Sequence, residues 1–131
     1  MPLESGSQSG VAERSFLVVG DVRTFRTLYA SVHAHRMPSP RPPDVDFEAH
    51  VVLLAFLGAR STGGHRTGFG ILAVEGGVAR VPVVEQSPPA GALLTQAMTT
   101  PYAMATLARA NLHTVELVDG TGAVVLRGSL R

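Results

Sequence analysis

The chain has 131 residues, of which 45% are apolar and 16% charged, with no cysteine and no tryptophan. That length suits one domain able to build a core without staples, and the missing cysteine excludes disulfides, thiolate metal sites, iron–sulfur clusters and thiol nucleophiles. Eleven arginines and no lysine stand against ten acids, for a net charge of +1, so no broad positive field exists to hold nucleic acid or an anionic membrane.

Met1 to Gly10 (MPLESGSQSG) has neither a basic n-region nor an apolar h-region and is not a signal peptide. The expectation is a cytoplasmic protein, or an exported one if a signal or lipid anchor preceded this segment and was removed. The Ser/Gly content of Ser5 to Gly10 marks residues 1–14 as a flexible N-terminal tail, with residues 15–131 forming a single globular domain. No run of about 18 uncharged apolar residues is present, so no membrane span is expected. Ser15 to Gly20 (SFLVVG) reads as a strand. Asp21 is placed to cap a helix in which Val22, Phe25, Leu28 or Tyr29, and Val32 recur at three- to four-residue spacing. His33, His35 and Arg36 suit the negative end of its dipole. Pro38, Pro40, Pro42 and Pro43 then forbid helix and predict an extended connector from Met37 to Asp46.

From His50 the pattern becomes β. His50 to Leu57 (HVVLLAFL) has no formal charge beyond a potential histidinium and reads as a central strand covered on both faces. Gly58 to Gly68 (GARSTGGHRTG) reads as a long loop with at least one left-handed turn. Phe69 to Val74 and Val78 to Glu85 flank Glu75-Gly76-Gly77, a hairpin signal, and Pro82 predicts an edge position or a bulge in the second arm. Gln86 to Pro101 is a long connection with Leu93 and Leu94 as its apolar anchor. Tyr102 to Leu107 is a further strand, and His113 to Val118 and Ala123 to Arg127 form a last hairpin around Asp119 to Gly122. One helix and seven strands without repeated βαβ units predict an α+β fold: a mainly antiparallel sheet, barrel- or sandwich-like, with one N-terminal amphipathic helix packed on it.

No catalytic constellation emerges. The GxSxG elbow is absent, and Ser61 with His65 four residues on is a weak dyad in a loop. The glycine loop lacks the lysine of a P-loop and does not lead into a helix, so neither nucleotide fingerprint fits. His50, His65 and His113 are scattered without metal-ligand spacing, and Asp44 and Asp46 read as solvated acids beside a strand start. No metal or cofactor is expected. Arg60 and Arg66 have the geometry to clamp a carboxylate or phosphate.

Asp46-Phe47, the strand Val51 to Phe56, Gly58, Ser61-Thr62-Gly63-Gly64, the arm Val81 to Glu85, Ser87-Pro88 and Thr99-Thr100-Pro101-Tyr102 occur in the order of the PrcB C-terminal domain family, which the chain resembles over about Phe16 to Val118. That family usually follows its double glycine with an aromatic residue, where this chain has His65. The resemblance implies a noncatalytic domain, common in exported or lipid-anchored bacterial proteins and associated by name with a subtilisin-like protease assembly. The expected role is a protein-interaction or accessory module, not an enzyme, with a protease among the candidate partners and a homodimer open through the sheet edges. A small-molecule-binding domain and a protease-inhibitor-like module are the alternatives. The expected contact residues lie on two loops: Arg60, Thr62, Gly63, Gly64, His65 and Arg66 on the first; Gln96, Thr99, Thr100 and Tyr102 on the second. Tyr102 also fits a strand start carrying a core aromatic.

Overall fold

A computed structural model describes residues 1–130, so the last residue of the domain expected over 15–131 lies outside the described residues. The elements in order are β1 Pro2–Gly6, β2 Ser15–Val19, α1 Val22–Val32, β3 His50–Phe56, β4 Arg66–Phe69, β5 Ala73–Glu75, β6 Val78–Gln86, β7 Tyr102–Ala108, β8 Thr114–Val118 and β9 Val124–Ser129. They form two sheets and no closed barrel. The first sheet, β1-β7-β3-β2, is antiparallel throughout. The second runs β4-β6-β8-β9, with β5 also on β6. Only β6 and β8 pair in parallel, because the chain crosses to the first sheet as β7 between them. No helix among the described residues is long and apolar enough to cross a membrane.

The uncharged strand β3 explains the layering. Successive residues of a strand face opposite ways. Val51, Leu53 and Ala55 pack with Ala79, Val81, Val83, Val115 and Leu117 of the second sheet. Val52, Leu54 and Phe56 pack with Phe25, Tyr29 and Val32 of α1. The fold is therefore α+β in three layers: helix, sheet, sheet. Helix α1 starts where Asp21 accepts a hydrogen bond from the Thr24 amide at 2.8 Å, which satisfies one of the amides left free in a first turn. Arg109 fastens the far end of the first sheet. Its guanidinium donates to the carbonyls of Phe47 at 3.0 Å, His50 at 3.3 Å, Gly20 at 3.0 Å and Leu130 at 2.7 Å.

Several expectations are corrected. Residues 1–14 are not a flexible tail. Pro2–Gly6 pairs with β7, and Ser9 is buried, because the edge of β7 offers backbone partners that composition cannot reveal. The described residues form nine strands, since β1 is added and the arm expected over Phe69 to Val74 is split into β4 and β5. Strand β6 is interior to its sheet, so Pro82 is not at an edge. It sits between the stretches of β6 that pair with β4 and with β5, and the bulge lies not in this arm but in the facing one at residues 70–72, which leaves no donor required of Pro82. In the hairpin, Gly76 and Gly77 both have positive φ, 58° and 78°, as a two-residue primed turn requires. Leu93 is fully exposed and anchors nothing, whereas Leu94 is half-buried.

Candidate functional site

The glycine loop is hydrogen-bonded to the connection that precedes β7. Arg60 and Thr99 exchange two backbone hydrogen bonds of 2.8 Å each, and the Gly63 amide donates to the Thr95 carbonyl at 2.9 Å. The Thr99 hydroxyl donates to the Thr62 carbonyl at 2.9 Å. Gly64 has φ +87°, and a Cβ there would lie 2.9 Å from Pro88 Cβ and 3.1 Å from Leu94 Cδ2. The second glycine thus lets the two loops touch. Both loops are legible in the sequence, but their pairing is not, since it joins residues far apart in the chain.

Behind this seam, Thr100 secures the N-terminal segment. Its hydroxyl accepts from the amides of Ser9 and Gly10 at 2.8 and 3.0 Å. Both Thr99 and Thr100 are buried, so they build the site without facing a partner. Gln96 is exposed between Leu93 and Met98, which are exposed too. A concavity of about 400 Å³ opens beside the seam, lined by Ser5, Gly6, Ser7, Gly64, His65, Arg66, Thr67 and Tyr102. The buried Nδ1 of His65 has no hydrogen-bond partner, and among the described residues no carboxylate pairs with Arg66. The structure therefore gathers Gly64, His65, Arg66 and Tyr102 around one hollow, puts Arg60, Thr62, Gly63 and Thr99 into the seam with Thr100 behind it, and leaves Gln96 on the outer loop.

Tyr102 belongs to a second, buried arrangement. Glu4 of β1 reaches under the sheet, where Tyr29 and Tyr102 donate their hydroxyls to its carboxylate at 2.6 and 2.7 Å. His33 Nε2 lies 2.5 Å from the same carboxylate. A carboxylate only accepts, so Nε2 carries the proton of this bond. His33 is 2% exposed and does not face solvent at the helix end, as its position beside Arg36 suggested. Burial pushes the Glu4 carboxyl up, but the three hydrogen bonds and the nearby imidazole outweigh that and hold it below its usual 4.5. Burial, and then the hydrogen bond to Glu4, push Tyr29 up to about 12 and Tyr102 higher still. With its own donors filling the carboxylate, this cluster is suited to fastening β1. Tyr29 and His33 follow Phe25 at four-residue intervals and so share one helix face; that spacing is the signal that could have found them, whereas nothing local marks Glu4.

Among the described residues no three metal-capable side chains converge. Residues 51–108 match the family model described as PrcB C-terminal. Over that segment the chain is similar to the PrcB C-terminal family. No curated protein and no solved structure matches it. The matched segment runs from the start of β3 to the end of β7, which is narrower than the resemblance over Phe16 to Val118. It contains both paired loops and Tyr102, and it leaves out Glu4, Tyr29 and His33.

Proposed function

We propose that this domain is a noncatalytic interaction or accessory module of a bacterial protease assembly, and that it docks through the paired loops. The observation that carries the reading is the seam of backbone hydrogen bonds between residues 60–63 and 95–99. A loop fixed before binding loses less conformational entropy on association than a free one. The second loop exposes apolar Leu93 and Met98 around polar Gln96, and the first loop leads into the uncompensated Arg66 at the start of β4. An apolar core with a polar rim is the usual make-up of a protein-binding patch.

The test is capture from native extract with immobilised wild type, an Arg60→Ala/Arg66→Ala variant and a Leu93→Asp/Met98→Asp variant. The expected result is a protease or protease-bound protein retained by wild type and lost from both variants, with unchanged circular dichroism. Retention by all three proteins alike would sink the reading. Recovery of a small molecule and no protein would favour a second reading, a small-molecule binder. That reading rests on an apolar cleft of about 390 Å³ between β1 and β4, walled by Leu3, Leu53, Phe69, Leu72, Val81 and Met104.

A further inference from the structure

Strands β4 and β5 lie end to end along one side of β6, and their other side is unpaired. The register carries one irregularity. Arg66 to Phe69 lie opposite Gln86 to Val83, and Ala73 to Glu75 lie opposite Arg80 to Val78. Three residues, Gly70 to Leu72, therefore oppose only two, Val81 and Pro82, which is a one-residue bulge. It falls where Ile71 stands 94% exposed, with Leu72 and Val74 also exposed. The edge carries no proline and no lysine, the residues that usually block strand addition.

The bulge also decides which side chains share a face. Ala79, Val81 and Val83 of β6 point into the core, so Val78 and Gln86 point outward. Arg66 lies opposite Gln86 and Glu75 opposite Val78, which puts both charges on the outer face. In a regular strand two residues nine apart would face opposite ways; the extra residue brings them to the same side. Neither has an ion pair among the described residues.

We propose that two copies of this chain associate edge to edge through residues 66–75, antiparallel about a twofold axis that passes through the bulge perpendicular to the second sheet. Residues facing each other across an antiparallel pair share a face, and this register meets the condition throughout. Arg66 faces Glu75 of the second copy, Thr67 faces Val74, Gly68 faces Ala73 and Phe69 faces Leu72. Symmetry makes two Arg66–Glu75 pairs. The exposed Ile71 side chains meet near the axis. A bulge ordinarily protects an edge by bending it; with the bulges of both copies at the axis, the short ladders on either side stay in step. A contact of this length falls below the roughly 1,200 Å² of a standard interface, so the association is weak, in the about micromolar to millimolar range.

Sedimentation velocity over a concentration series tests this. Wild type is expected to form dimer as concentration rises. Ile71→Lys and the single reversals Arg66→Glu and Glu75→Arg each weaken association by about fivefold or more, since each reversal places like charges opposite each other twice. The double reversal Arg66→Glu/Glu75→Arg restores it to within about twofold of wild type. Wild type that stays monomeric at every concentration overturns the proposal, as does an Ile71→Lys protein that dimerises like wild type. A double reversal no better than either single one overturns the register and the proposal with it. Ile71 and Glu75 lie outside the paired loops, so capture of a partner by Ile71→Lys is unchanged and the two proposals fail separately.

Discussion

Replacing Glu4 by alanine tests how strongly the buried carboxylate fastens β1. The change removes three hydrogen bonds to a charged acceptor and leaves the hydroxyls of Tyr29 and Tyr102 and the ring of the buried His33 without their partner. Hydrogen bonds to charged groups contribute about 1.5–3 kcal/mol each. The Glu4 side chain is 23% exposed, so the lower figure applies, and the loss is about 4 kcal/mol in total. For a domain of this size 1 kcal/mol shifts the melting temperature by about 3 °C, which puts the variant about 12 °C below wild type. Glu4→Gln keeps one acceptor oxygen and should lose about half as much. Differential scanning calorimetry measures the shift, and hydrogen exchange reads the β1 amides for the case in which the strand detaches before the core melts. Because the folded carboxyl lies below its unfolded value of 4.5, its stabilisation is complete above that pH and is lost as pH falls through the folded value. Glu4→Gln should therefore show a flatter acid limb than wild type. A Glu4→Ala protein within 3 °C of wild type, with unchanged β1 exchange, would refute this account; the threshold is about 1 kcal/mol.

Other expected outcomes follow from the same contacts. The chain has two tyrosines and no tryptophan, so phenolate absorbance reports on the cluster alone. Tyr29 is pushed up to about 12 from 10.0, so the fold favours the neutral phenol, and stability holds below pH 10 and falls as pH rises from there toward 12. A folded-state midpoint near pH 10 would contradict the burial. Arg109→Ala removes a guanidinium shared by four carbonyls and should cost about 2–4 kcal/mol by urea denaturation, with little rescue by lysine, whose single ammonium lacks the fork. Phe25 is 1% exposed between the helix and β3, so Phe25→Asp buries an unpaired carboxylate and should abolish cooperative melting; an unchanged melting temperature would show that α1 is peripheral.

Local patterns made much of this fold readable. The apolar spacing of α1, the cap at Asp21, the uncharged run of β3 and the Gly76-Gly77 turn all act over a few residues, where propensity and periodicity decide. The loops carrying Arg60 to Arg66 and Gln96 to Tyr102 were also legible, as glycine- and proline-rich interruptions. Their seam was not, because the Arg60–Thr99 bridge joins residues far apart in the chain. Ser/Gly content argues for a tail at residues 1–14, yet a free edge on β7 and a buried Tyr102 give Glu4 partners that its neighbours in sequence do not contain. The one-residue slip at Gly70 to Leu72 is likewise set by the register with β6. The sequence by itself determined the helix, most of the strands and the absence of cysteine chemistry, since these depend on composition and on nearest neighbours along the chain. Only the tertiary structure decided that the first strand is latched through a buried carboxylate, that the two loops form one rim, and that Arg66 and Glu75 share a face, because each depends on which distant backbone edges pair.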